Sequence, residues 1–97
     1  MNLTTFEFFK KLIRLPFISR IILYGSRARN DALERSDIDL AIDCPTASEQ
    51  DWLTIVALIE DADTLLKIDY VRFDSLSEKN PLLQAIKLDG VVVYAKK

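Results

Sequence analysis

The chain has 97 residues, 49% hydrophobic and 29% charged, with a net charge of −2 at pH 7, no histidine and one cysteine. These numbers suit one folded domain with one core, spanning residues 1–97. They exclude a disordered chain, His-based catalysis, a His-ligated zinc site and an internal disulfide. No overall positive field draws the chain onto nucleic acid, and no apolar run approaches membrane-spanning length. Glu7, Lys10, Lys11 and Arg14 break any signal-peptide core near the start, so a reducing, cytoplasmic setting is expected.

In chain order, Thr4 or Thr5 is expected to cap a first helix with Phe6, Phe9, Leu12 and Ile13 on one face and Pro16 at its end. Ile18 to Tyr24 reads as a buried strand, punctuated by Gly25, and Ser26 to Asn30 as the start of a short helix. Residues 31–36 are polar and loop-like, and Asp37 to Asp43 is a second strand closed by Cys44-Pro45. Ser48 caps an amphipathic helix running to Asp63, with Trp52, Ile55, Val56 and Ile59 as its apolar stripe. Leu66 to Phe73 is a third strand, Pro81 to Leu88 a helix stopped near Gly90, and Val91 to Ala95 a fourth strand. Strands alternating with helices argue for an α/β or α+β fold. The expectation is a small mixed sheet of about four strands, with helices packed mainly on one face.

The chemistry concentrates between Gly25 and Leu40. A glycine at a strand-to-helix turn lets backbone approach a ligand closely, because it lacks Cβ and tolerates positive φ. The helix start that follows offers N–H groups and a positive dipole end to a phosphate, and Ser26 adds a hydroxyl. Asp37 and Asp39, one residue apart in a strand, point to one face while Ile38, Leu40 and Ile42 point to the other. Side-by-side carboxylates repel, and oxygen-only donors suit Mg²⁺ or Mn²⁺. Ser36, just before them, is read as orienting a carboxylate or steadying the turn. Asp69 interrupts the third strand. If that strand lies beside the second, Asp69 completes a cluster of three carboxylates able to hold two divalent ions. The plainer reading makes Asp69 the partner of Lys67 or Arg72 in a surface ion pair, and makes the solvent face of the second strand acidic without function. Trp52 reads as core packing.

Gly25-Ser26-Arg27-Ala28-Arg29, then Ser36-Asp37-Ile38-Asp39-Leu40, then an aspartate inside a later strand, resembles the nucleotidyltransferase superfamily of DNA polymerase β. More narrowly, it resembles the minimal nucleotidyltransferase (MNT) family, with a departure at Asn30, where glycine is common. The resemblance implies a polymerase β-like fold and transfer of a nucleoside monophosphate from a triphosphate, AMP from ATP, with two Mg²⁺ (or Mn²⁺) ions as cofactors. By it, Gly25 and Ser26 would bind the triphosphate, Asp37 and Asp39 would ligate both ions, and Asp69 would ligate the catalytic ion and help activate the acceptor hydroxyl. Arg27 and Arg29 are candidates for phosphate contact, or equally for solvent-facing or partner-facing charges. Ser36 joins the nucleotide-binding set.

The resemblance also implies a partner, a HEPN-type ribonuclease toxin bound in a hetero-oligomer, with the present chain as antitoxin adding AMP to one of its tyrosines. No residues are expected to be left for a separate acceptor-recognition domain, and neither a membrane nor direct nucleic-acid binding is expected. The alternative is a binding protein that neutralises the toxin by occlusion, its catalytic residues idle. A small-molecule resistance enzyme is a third and weaker reading.

Overall fold

The computed structural model describes residues 1–30, 32–33 and 35–97. Four strands, β1 (Arg20–Tyr24), β2 (Ile38–Asp43), β3 (Ile68–Arg72) and β4 (Val91–Ala95), form one sheet in the order β3-β2-β1-β4. β1 pairs antiparallel with both β2 and β4, and β2 pairs parallel with β3. The parallel pair needs a crossover, and helix α2 (Glu49–Glu60) supplies it. Helices α1 (Glu7–Leu12) and α3 (Pro81–Asp89) complete the fold. This is the expected mixed α+β sheet.

Strand alternation divides the sheet into two unlike faces. Ile21 and Leu23 of β1 and Ile38, Leu40 and Ile42 of β2 point to one face, where they join Phe8, Phe9 and Leu12 of α1 and Ile55 and Ile59 of α2 in the main core. Fully burying each such side chain stabilises the fold by about 1.5–3 kcal/mol. The opposite face carries a smaller cluster, Ile22, Ala41 and Ile86, with Tyr24, Val71 and Phe73 against it. Two helices therefore cover one face, and α3 covers only part of the other. Gly90 makes that contact possible. A Cβ there would stand 2.7 Å from Ile22 Cγ2 and would collide with the Ile86 carbonyl.

Helix α2 starts as expected, with a capping box: Asp51 N–H donates to Ser48 Oγ (3.1 Å) and Ser48 N–H to the Asp51 carboxylate (3.0 Å). The first helix does not. Asn2 caps a separate 3₁₀ turn at Leu3–Thr5, and neither threonine caps α1. The Asp63 carboxylate does so from across the fold, accepting the Glu7 and Phe8 N–H groups at 3.1 Å each. The expected face does meet the core, with Phe9 and Leu12 buried and Phe6 and Ile13 half-buried against them, and Phe8 is buried there as well. Arg72 pins the segment between β2 and α2, donating to the Cys44 and Ala47 carbonyls (3.0 and 2.9 Å) and to Asp74 (3.0 Å). Of the expected loop over 31–36, Asp31 and Glu34 lie outside the described residues, and the rest is neither helix nor strand.

Candidate active site

β1 ends at Tyr24, whose partner in β2 is Asp39. In the parallel pair, Asp39 lies opposite Asp69. Both carboxylates lie on the thinly covered face, at the same end of the sheet, and Asp37 sits exposed just before β2. The strand begins one residue later than expected, at Ile38, yet the spacing keeps Asp37 close enough to act on Asp39. Burial, then the charges of Asp69 and Asp37 and a hydrogen bond shared with Asp69, raise the Asp39 pKa, while Arg29 opposes the shift.

The Gly25 backbone packs directly against Asp39. Its φ is +74°, and a Cβ would collide with Asp39 Oδ2 and stand 3.3 Å from its Cγ. The positive φ favours glycine here, and a methyl group would also have to push the Asp39 carboxylate aside. The expected helix over Ser26 to Asn30 is instead a single 3₁₀ turn, Gly25–Arg27, whose Gly25 carbonyl accepts the Ala28 and Arg29 N–H groups, both at 3.1 Å. So short a turn carries no macrodipole, and only its local amides and the half-buried Ser26 remain to meet an anion. Asn30 adopts the left-handed region, φ 63°, that a glycine would take freely.

The two arginines differ. Arg27 donates from Nε and Nη2 to the Ser36 carbonyl (3.1 and 2.7 Å), and Ser36 Oγ accepts the Leu33 N–H (2.8 Å). Arg27 and Ser36 thus tie the loop that delivers Asp37. Arg29 pairs with Asp89 at 3.5 Å and is the cation that acts on Asp39. Lys67 pairs with Asp69 at 3.5 Å, as the plainer reading of that aspartate expected, whereas Arg72 points to the other face, over the Trp52 ring at 5.9 Å. Trp52 itself is half-buried beside Tyr70.

Among the described residues, no group of three or more His, Cys, Asp or Glu side chains is arranged to hold a metal ion. Asp39 and Asp69 are opposed, and Asp37 contributes its charge from the side. As donors they are all hard oxygens, the set that Mg²⁺ and Mn²⁺ take.

One residue near the carboxylates, Tyr24, went unnoticed in the sequence. Burial, then Asp39 and Asp69, raise the Tyr24 pKa and keep its hydroxyl protonated. Alternation along β1 places Tyr24 on the face that carries Asp39 and Asp69. Cys44 is buried, its thiol pushed up to about 11 by burial and then by Asp74, so it is a poor nucleophile.

No curated protein matches the sequence significantly. Solved structures match its fold. A toxin-antitoxin complex with AMP-PNP is 21% identical with a TM-score of 0.62, covering 93% of this chain and 73% of the matched one. A variant of the toxin-antitoxin MntA-HpeT is 26% identical at TM-score 0.62, covering 92% and 71%. A candidate nucleotidyltransferase from Sulfolobus solfataricus is 22% identical at TM-score 0.58, covering 93% and 76%. The likeness to minimal nucleotidyltransferases read from Gly25-Ser26 and Ser36 to Leu40 thus extends to the fold. The family model for polymerase β nucleotidyltransferases matches residues 7–97, nearly end to end, and the chain belongs to that family.

Proposed function

We propose that this chain is a divalent-ion-dependent nucleotidyltransferase that moves AMP from ATP to a hydroxyl of a partner protein, acting as antitoxin to a HEPN-type ribonuclease toxin in the cytoplasm. The observation that carries this reading is the opposed pair Asp39 and Asp69, with Asp37 beside it, at the sheet end where the Gly25 backbone touches Asp39. The toxin-antitoxin assemblies among the structural neighbours, one of them with AMP-PNP, support the nucleotide and the partner.

In this reading, Asp37, Asp39 and Asp69 would hold two Mg²⁺ or Mn²⁺ ions, which when bound would neutralise the triphosphate and lower the pKa of the acceptor hydroxyl. The chain's own groups do the rest. Gly25 lets a phosphate approach the backbone, and Ser26 donates its hydroxyl to it. Arg29, already beside Asp39, is the better placed arginine for the phosphates, while Arg27 and Ser36 keep the loop before Asp37 in place. The acceptor oxygen bonds to the α-phosphorus as its proton passes to Asp69. The bond from that phosphorus to the bridging oxygen breaks, and pyrophosphate leaves with the electron pair.

Intact-protein mass spectrometry of the partner, after incubation with the chain, Mg²⁺ and ATP, tests this. The expected result is a mass gain of one or more AMP units, absent with Asp37→Asn/Asp39→Asn. A stable complex without any gain contradicts transfer and favours neutralisation by occlusion.

A further inference from the structure

A cavity of about 470 Å³ opens beside Asp37, lined by Arg35, Asp37, Leu65, Leu66 and Lys67. Two loops form its walls, the one entering β2 and the one entering β3, joined where the Ile38 N–H donates to the Lys67 carbonyl at 2.9 Å. Leu65 projects fully into solvent, more than any other large apolar side chain among the described residues. Leu33, on the loop entering β2, is also strongly exposed. Arg35 forms no ion pair or hydrogen bond among the described residues. A leucine and two cations therefore stand at the mouth of a site whose floor is carboxylate, in a chain that is acidic overall.

The strand order gives the cavity its place. In β3-β2-β1-β4, the Gly25 turn reaches Asp39 from the β1 side, and the cavity reaches Asp37 from the β3 side. The proposed triphosphate seat and the cavity thus flank one set of carboxylates, as donor and acceptor must in a transfer between them.

We infer that this cavity is the acceptor subsite, and that it takes a segment of the partner protein bearing an apolar side chain and a carboxylate next to the hydroxyl that receives AMP. This rests on the protein-modification reading above. The apolar side chain packs on Leu65 and Leu66, and the carboxylate meets Arg35 and the outer side of Lys67. Charge at the rim sets which partner is accepted more than how tightly it is held.

The probes are two fluorescent tyrosine peptides of equal length, one with Leu and Glu beside the tyrosine, the other with Ser and Lys. Binding to the whole chain is read by anisotropy without nucleotide. The Leu/Glu peptide is expected to bind about tenfold more tightly. Leu65→Ser should weaken it about fivefold, as expected for a partly buried apolar contact, and Arg35→Glu should reverse the preference. Both positions are exposed, so the melting temperature should not move. Equal binding of the two peptides, indifference to both substitutions, or displacement of the peptide by ATP alone would overturn the assignment. A peptide that binds selectively yet receives no AMP when Mg²⁺ and ATP are added supports the subsite and contradicts the transfer reading.

Discussion

The two faces of the sheet use the same strands for opposite purposes. On one, Leu40 and Ile42 are fully buried under α1 and α2. On the other, Asp39 stands next to Leu40 in sequence but half-exposed, opposite Asp69 and against the Gly25 backbone. Alternation along β2 thus puts stability and chemistry one residue apart without letting either compromise the other. The packed face gains from burial, whereas the open face accepts like-charge repulsion that the fold would be more stable without. Such local conflict between stability and side-chain choice is characteristic of functional sites.

If that division is real, substitutions on the two faces should separate cleanly. Leu40→Ala should cost about 2–5 kcal/mol, a large part of the 5–15 kcal/mol typical of a whole domain. Chemical denaturation should show the midpoint falling, with residual transfer only under conditions where the chain stays folded. Asp37→Asn/Asp39→Asn should do the reverse, cutting AMP transfer by about a hundredfold or more with no loss of melting temperature. Gly25→Ala should cross the divide, since a methyl group there meets Asp39 and sits at positive φ. It should cost about 1–3 kcal/mol and impair transfer as well, measurable as a fall in kcat with nucleotide present in excess.

The smallest effect concerns the cap on α1. The Glu7 and Phe8 N–H groups hold the Asp63 carboxyl below the usual carboxylate range. A group depressed in this way contributes stability that is present above its unfolded pKa and lost as pH falls through its folded pKa. Asp63→Asn should therefore lower the melting temperature slightly at neutral pH, and the gap from the parent chain should close in acid. A gap that persists or widens in acid would show that the cap does not act through charge.

Much of this was legible in the sequence, and the reasons are local. The period-two pattern through Ile38, Leu40 and Ile42 identifies β2 and the face of its aspartates, and Ser48 with Asp51 marks the start of α2. The positive φ at Gly25 and the left-handed Asn30 follow from residue type. What escaped depends on distant parts of the chain. The cap of α1 comes from Asp63, 55 residues beyond Phe8, so no window around Thr4 could reveal it. α3 lies on the same face as the carboxylates because Gly90 lets it approach Ile22. The retention of Arg27 by the Ser36 carbonyl depends on how the intervening loop closes. Pairing of Asp39 with Asp69 required β3 to lie beside β2, which the sequence could pose only as a condition.

The central claim is that the opposed carboxylates exist for transfer and not for the fold, and Asp39→Asn tests it in one protein preparation. AMP incorporation and thermal unfolding would be measured side by side on the substituted and parent chains. The account predicts that transfer is lost while the melting temperature is unchanged or rises, because the substitution removes a repelled charge. Transfer that survives, or a melting temperature that falls along with it, would contradict the account and make Asp39 a structural residue.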